Sequence, residues 1–239
     1  MRVILCGANG AMGKLIDNIF GSEIVGRVSL DGENGVAKTF AELGEIASDV
    51  VVDFSHHSAV ADVLAYAKKT GAAAVIGTTG HTPEEKALIF DAARDIPVFY
   101  AGNVSLGIAG LCRLVKQAAS YFPDADIESV EIHHTRKVDA PSGTAHLLLN
   151  AVKEVRPNAW ENCGRSGEGK RTKDEVGVHA LRMGNVVGIH EVHINTGNQT
   201  LVLKHESGSR AMLADGAVAA ARFMEGKGKG LYNMESILG

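Results

Sequence analysis

The first twenty residues constrain this chain more than any other stretch. Arg2-Val3-Ile4-Leu5-Cys6 is a short apolar strand, Gly7-Ala8-Asn9-Gly10-Ala11-Met12-Gly13 is a glycine loop, and residues 14–20 continue as a helix. Strand, glycine loop and helix in that order form the context of a dinucleotide-binding fingerprint, in which a pyrophosphate rests on the helix N-terminus. The spacing is G-x-x-G-x-x-G, with the first glycine one place earlier than in the commonest version. Gly10 lets backbone approach a pyrophosphate, and Gly13 lets the helix pack closely on the strand. Residues 24–30 read as a second strand, followed by Asp31, about twenty residues beyond the glycines, where an acid binds the ribose hydroxyls of NAD. Arg27 offers the alternative of meeting a 2′-phosphate, and Asp31-Gly32 is equally a plain turn dipeptide. The choice between NADH and NADPH therefore stays open at this stage.

The α/β rhythm continues along the chain. Val50-Val51-Val52-Asp53-Phe54-Ser55 reads as a buried strand, residues 58–69 as a helix with Val60, Val63, Leu64 and Ala67 on one side, and Ala72-Ala73-Ala74-Val75-Ile76 as a strand. After Gly77-Thr78-Thr79-Gly80, Thr82 caps a helix with Pro83 at its first position. Residues 96–100 are a further strand, ending in Ala101-Gly102-Asn103-Val104-Ser105. Three strands thus end in small polar loops. If their sheet is parallel, these loops share one edge with the glycine loop, and a nicotinamide ring laid there would meet them.

From about Ser105 the pattern changes. A long helix over residues 106–122 leads to a short strand ending at His133 and His134. Lys137, Asp139-Ala140-Pro141 and Ser142-Gly143-Thr144 follow, and residues 145–155 carry a helical pattern ended by Pro157. Ser142 or Thr144 can cap that helix, leaving the N–H groups of Ser142, Gly143 and Thr144 pointing into the loop. A helix N-terminus beside a lysine holds a carboxylate or phosphate, and two histidines offer protons near neutral pH. The cluster reads as a site for an anionic substrate that must be protonated. Extended, His133 and Lys137 would lie roughly 13 Å apart at about 3.3 Å per residue, so joint action requires a bend between them. The glycine-rich, charged residues 164–173 read as a mobile loop near the site. Residues 176–182, 186–194 and 200–206 look like antiparallel strands, making with the histidine strand a four-stranded open sheet, and residues 211–224 form an alanine-rich helix returning to the first domain.

With 239 residues, 45% hydrophobic and a net charge of −4, the chain has ample core for one large or two small domains and no basic excess to favour nucleic acid. No apolar run reaches transmembrane length, and no secretory leader precedes the first strand, so a cytoplasmic protein is expected. Cys6, Cys112 and Cys163 have neither disulfide nor zinc spacing. A metal hydrolase built on His56-His57 or His133-His134 is disfavoured, because adjacent strand residues face opposite ways and no H-x-x-x-H helix exists.

Glu131-x-His133-His134-x-x-Lys137-x-Asp139-Ala140-Pro141-Ser142-Gly143-Thr144-Ala145 resembles the signature of 4-hydroxy-tetrahydrodipicolinate reductase, or dihydrodipicolinate reductase, of the diaminopimelate route to lysine. The resemblance extends through the glycine loop, Val51 to Ser55, Gly77 to Gly80, Gly102 to Ser105, Val187-Gly188-Ile189-His190, His205 to Arg210 and the last helix, which is essentially the whole chain. It implies a Rossmann-like dinucleotide-binding domain made from residues 1–104 and 211–239. A central α+β domain, residues 105–210, would bind a small dicarboxylate and build a homotetramer through an open mixed or antiparallel sheet. On matching positions it implies His133 and Lys137 as proton donors, and His134, Ser142, Gly143 and Thr144 as the carboxylate site. Gly7, Ala8, Asn9, Gly10, Ala11 and Met12 would form the NAD(P)H site with Asp31, Phe54, Gly77, Thr78 and Thr79, and with Gly102, Asn103, Val104 and Ser105. Ala11 stands where many members have arginine, and the acid after the second strand is displaced, with Ser29 near its place. The rival readings are another Rossmann-type carboxylate reductase or amino-acid dehydrogenase, and a non-catalytic dinucleotide sensor. The sensor needs no paired His133 and Lys137.

Overall fold

The computed structural model describes residues 1–239. In chain order its strands are β1 Val3–Cys6, β2 Ile24–Val28, β3 Val50–Asp53, β4 Ala73–Ile76, β5 Pro97–Tyr100, β6 Asp126–His133, β7 Trp160–Cys163, β8 Glu175–Arg182, β9 Gly188–Asn195, β10 Thr200–Ser207 and β11 Gly230–Tyr232. Its helices are α1 Ala11–Phe20, α2 Phe40–Leu43, α3 Val60–Thr70, α4 Pro83–Ala92, α5 Leu106–Tyr121, α6 Gly143–Lys153, α7 Ala211–Met224 and α8 Met234–Leu238. They form two compact units, Met1–Leu106 with Ala211–Gly239, and Gly107–Arg210. No helix is long and apolar enough to cross a membrane.

The first unit is a six-stranded sheet in the order β11-β5-β4-β3-β1-β2, with every pair parallel. β1, β3 and β4 are buried throughout, the composition of a sheet covered on both faces. Ile4, Cys6, Val51, Ala74, Ile76 and Val98 pack against α3 and α4 through Val63, Leu64, Ala67 and Ile89. α7 packs on α1 and across β3, β4 and β5. Thr82 and Glu85 form a reciprocal capping box at the start of α4, with Pro83 at the first position.

The second unit is a five-stranded sheet in the order β10-β9-β6-β8-β7. Only β9 runs antiparallel to its neighbours β6 and β10, while β6, β8 and β7 are mutually parallel. The sheet is therefore mixed, one of the two forms expected, and has five strands where the sequence suggested four. β7 escapes a pattern reading because its residues, Trp-Glu-Asn-Cys, show no apolar alternation. α5 and α6 cover one face through Leu111, Val115, Leu148, Leu149 and Val152, packed on Ile127, Val176, Val192 and Ile194.

The expectation of a mobile loop near the site is corrected. Arg171 pairs with Asp126 at 2.8 Å and with Glu128, and bonds the carbonyls of Ile127 and Glu175, while Arg165 pairs with Glu175. These contacts fasten the segment to the first residues of β6, five to seven positions from His133 and so roughly 16–23 Å along the strand. Charge without an apolar face served here to bind one buried edge.

Gly216 shows how closely α7 is seated, since a Cβ there would lie 1.8 Å from the Val104 carbonyl oxygen. Helix propensity alone would make Gly216→Ala stabilising by about 1 kcal/mol. Overpacking against a fixed carbonyl costs about 1–3 kcal/mol, so a net loss of stability is expected. Urea titration measures it as a lower midpoint at constant slope; an unchanged or raised midpoint would contradict this packing.

Candidate active site

In the first unit the chain order reverses between β1 and β3, and ligands of open parallel sheets bind outside the strand C-termini at such a switch. The register aligns Cys6 with Asp53, Asp53 with Ile76, and Ile76 with Tyr100, so the glycine loop, Phe54, Gly77 and Ala101 all emerge at one edge. Gly7 has φ 82°, and a Cβ there would meet the Phe54 carbonyl oxygen at 2.3 Å, so no other residue fits. At Gly13 the close approach is to the carbonyls of Gly7 and Ala8, which a Cβ would meet at 2.1 and 2.7 Å. The third glycine thus seats the helix on the loop itself rather than on the strand. Gly10 is the N-cap of α1 and supplies no side-chain acceptor, so the positive end of the helix carries no side-chain cap. That bare end, exposed at Gly10 and Ala11, fits a pyrophosphate.

Asp31 caps its own turn and also reaches the glycine loop. Its carboxylate accepts from Asn9 Nδ2 at 2.5 Å, linking it to the glycine loop, and from the Glu33 N–H of its own turn at 3.4 Å. The Asn9 bond is the largest cause of a carboxyl held below its ordinary value. Arg27 is engaged by Asp17 through two hydrogen bonds, of 2.6 and 3.1 Å, which takes it away from the role of meeting a 2′-phosphate. The Thr78 hydroxyl donates to the buried Asp53 at 2.7 Å and accepts from Ser55 N–H, so its side chain organises the edge and only its backbone remains for a ligand. Thr79 and Gly102 are exposed and Gly77 and Asn103 half-buried, whereas Val104 and Ser105 are buried beneath the edge, with the Ser105 hydroxyl on the Met212 sulfur. His57, free in sequence terms, is held by Glu85 at 2.9 Å.

In the second unit, β6 alternates strictly, with Ile127, Ser129, Glu131 and His133 on the covered face. Sheet register does the rest. It sets His190 of β9 opposite Glu131, and Arg182 of β8 opposite His133. Glu131 is fully buried and its Oε1 accepts from Arg182 Nη2 at 2.8 Å and from the Ser142 N–H at 3.0 Å. Its Oε2 lies 2.9 Å from His133 Nδ1 and 3.7 Å from His190 Nε2, with neither contact aligned as a hydrogen bond. Burial works to raise the Glu131 carboxyl, but Ser142 and Arg182 outweigh it and hold it below the usual range. Burial drives both histidines toward the neutral form against the opposing charge of Glu131, His190 down to about 4. The ligand atoms of Glu131, His133 and His190 lie within 4.8 Å of one another, a spacing a cation could bridge, but the Arg182 guanidinium already brings positive charge to that carboxylate.

Beyond β6 the chain bends as the chemistry requires. Lys137 N–H donates to the His134 carbonyl at 3.1 Å, closing a turn from which the lysine's charge acts on His133. Ser142 caps α6 through Ala145 N–H, yet the N–H groups before the helix are not left open. Glu131 takes the Ser142 N–H, and the Asp139 carboxylate pairs with Lys137 Nζ at 2.8 Å. The two groups read from the sequence as anion binders, the Ser142 N–H and Lys137, are thus engaged by the protein's own carboxylates. His134 sits half-buried with Nε2 3.5 Å from Arg210.

The family model of the dihydrodipicolinate reductase N-terminus matches residues 1–104, and that of the C-terminus residues 107–238. The chain belongs to the dihydrodipicolinate reductase family. It is 38% identical to the 4-hydroxy-tetrahydrodipicolinate reductase of Clostridium tetani, covering 100% of this chain and 97% of that protein. With the enzyme of Methanocorpusculum labreanum the identity is 39%, over 100% and 99%. Among solved structures, the dipicolinate-bound dihydrodipicolinate reductase of Paenisporosarcina sp. TG-14 superposes with a TM-score of 0.74 at 23% identity, over 98% of this chain and 97% of that one. The reductase fold is shared more widely, since an amine dehydrogenase from Mycobacterium smegmatis gives a TM-score of 0.60 at 12% identity, over 99% and 95%. Within this oxidoreductase family, Arg182 escapes the sequence reading, and Glu131 and His190 stand in the resemblance without a role. The signal available was the two-residue spacing of Glu131 and His133, which puts both on one face of a strand.

The buried, neutral His190 has a consequence for stability. Its folded value of about 4 lies below the ordinary 6.5, so the unfolded chain binds the proton first. Stability from this residue is complete above about pH 6.5 and is lost as pH falls toward 4, by up to roughly 3 kcal/mol. Urea unfolding at pH 7.5 and pH 5 should show that slope, and His190→Asn should flatten it; an equal slope in the variant would assign it to other groups.

Proposed function

We propose that this chain reduces 4-hydroxy-tetrahydrodipicolinate to tetrahydrodipicolinate with NADH or NADPH, in the diaminopimelate route to lysine. The observation that carries the reading is the Asp139 carboxylate paired with Lys137 in the loop between the buried His133 and α6. An arrangement that binds one carboxylate next to a proton source suits a substrate with carboxylates flanking the reacting bond. The Paenisporosarcina reductase was solved with dipicolinate, a planar dicarboxylate of that shape. Met1–Leu106 with Ala211–Gly239 is the nucleotide-binding domain in this reading, and Gly107–Arg210 the substrate-binding and oligomerisation domain.

The bound nicotinamide supplies a hydride to one end of a conjugated carbon–carbon and carbon–nitrogen system. The other end then takes a proton from the protein. Lys137 exchanges Asp139 for a substrate carboxylate, while His134, Gly143 and Thr144 complete the carboxylate site and Ser142 fixes the start of α6. His133, backed by Glu131, is the general acid, and a bound dianion beside it favours its protonated form. The glycine loop, Gly77 to Thr79 and the exposed part of residues 102–105 hold the cofactor. A binding-only sensor would have no use for a buried carboxylate–histidine pair, and an amino-acid dehydrogenase is disfavoured by the family match over nearly the whole chain.

The open face of the second sheet presents Leu181 and Val202, 42% and 46% exposed, with Val130 and Ile132 between them. Such a face supports the homotetramer, and the enzyme is placed in the cytoplasm with its pathway. For the cofactor, NADH is favoured over NADPH. Asp31 stays ionised where a 2′-phosphate would lie, position 11 holds alanine, and Arg27 is engaged by Asp17.

The assay follows nicotinamide absorbance with the product of a coupled dihydrodipicolinate synthase reaction as substrate. His133→Gln should lower kcat by about 10²–10⁴ with little change in KM. Lys137→Met should act mainly by raising KM for the dicarboxylate; normal kcat/KM in that variant would remove lysine from the mechanism. With the wild-type enzyme, kcat/KM for NADH should exceed that for NADPH by about tenfold or more, the equivalent of 1.4 kcal/mol, and Asp31→Ser should narrow the ratio. A wild-type preference for NADPH would refute the role given to Asp31.

A further inference from the structure

A histidine can serve as a general acid in one direction only if its other ring nitrogen is fixed. The environment of His133 contains a group that does this and that neither family signature nor sequence spacing assigns. We propose that Glu131 is the positioning residue for His133, and that Arg182 sets both Glu131 and the Lys137 loop in one frame. This inference rests on His133 being the acid of the reaction.

Glu131 is fully buried, and a buried carboxylate is tolerated only where charge and hydrogen bonds satisfy it. Oε1 is satisfied twice, by Arg182 and Ser142 N–H, which pins the carboxylate group. Oε2 has no aligned donor, although an unsatisfied buried acceptor carries a penalty of about 1–3 kcal/mol. It is turned to His133 Nδ1 at 2.9 Å, off the axis of the ring N–H. Catalytic hydrogen bonds are commonly out of line before substrate binds and tighten afterwards, and at 2.9 Å this pair is already at hydrogen-bond distance.

Closing it makes Nδ1 the donor to Glu131 and leaves Nε2 as the working nitrogen. Nε2 lies over Gly188, where a Cβ would come within 3.1 Å, so its edge stays accessible because residue 188 has no side chain. In turnover the Nε2 proton passes to the carbon of the substrate and the ring is left neutral with its proton on Nδ1. Arg182 Nη2 also donates to the Asp139 carbonyl at 2.6 Å, and the Asp139 side chain holds Lys137. One guanidinium from β8 thereby fixes the carboxylate behind His133 and the loop that carries Lys137. The groups facing His133 are Glu131, Lys137 and Asp139 from β6 and its loop, Arg182 from β8, and His190 from β9 with ring centroids 5.0 Å apart. Of these Glu131 is the strongest influence keeping a proton on the ring.

The test uses the full-length enzyme labelled with ¹⁵N-histidine, with the His133 signals identified by their loss in His133→Gln. Neutral His133 in the wild type should carry its proton on Nδ1; a bare Nδ1 with the proton on Nε2 would overturn the proposal without any variant. Glu131→Gln keeps the shape and removes the charge. It should shift the His133 titration to lower pH, move the pH limb of kcat/KM the same way, and lower kcat about a hundredfold with KM within threefold. Glu131→Asp keeps the charge and should retain the titration while recovering part of kcat. A role confined to folding would instead lower kcat and thermal stability together with no displaced limb, and that result would refute positioning. If His133→Gln turned over normally, the general-acid reading would fail while the tautomer measurement still stood.

Discussion

A buried carboxylate cannot be left without donors, and each unit of this chain is organised at its functional edge by one. Asp53 closes β3 and Glu131 lies two residues from the end of β6, and both are fully buried. Asp53 is met by neutral donors, the hydroxyls of Ser55 and Thr78 and the Ser55 N–H. Burial then dominates and its carboxyl is pushed up. Glu131 is met by a guanidinium as well as a backbone N–H, and its carboxyl is held down. The same device yields a polar knot in one unit and a fixed negative charge behind a histidine in the other. The deeper desolvation of Asp53 and the nearby positive charge at Glu131 together make the difference.

The loops at both edges depend on these carboxylates. Asp53 ties Phe54-Ser55 to Thr78, so the ends of β3 and β4 hold a common shape beneath the glycine loop. Glu131 ties the start of α6 to β6 through Ser142, and through Arg182 to the loop between them. Rigid strands therefore present their functional groups on short loops that have little freedom left. A site that moves a proton benefits, because misplacing a donor by an ångström can cost two orders of magnitude in rate.

Occupied anion positions are a second theme. Asp139 on Lys137, and Asp31 on Asn9, show the protein satisfying its own polar groups with its own acids. An isolated reading of residue types finds the cation and the helix end, but it cannot say which nearby acid occupies them. That requires knowing how the chain turns between His134 and Ser142.

By itself the sequence determined the parallel first sheet and its loops, because strand, glycine loop and helix recur with the right lengths and all-apolar strands require two covered faces. It also determined the turn and cap chemistry at Thr82-Pro83 and Ser142, which is local, and the family signature from Glu131 to Ala145. Only the tertiary structure decided the partners of Glu131, since Arg182 and His190 are 51 and 59 residues away in the chain and arrive through strand register. It alone engaged Arg27 with Asp17, hid β7 and the parallel pairing of β8 behind unpatterned residues, and anchored residues 164–173 far from His133. Contacts of that kind depend on which strands become neighbours, and a pattern of period two in one strand carries no information about the identity of the next.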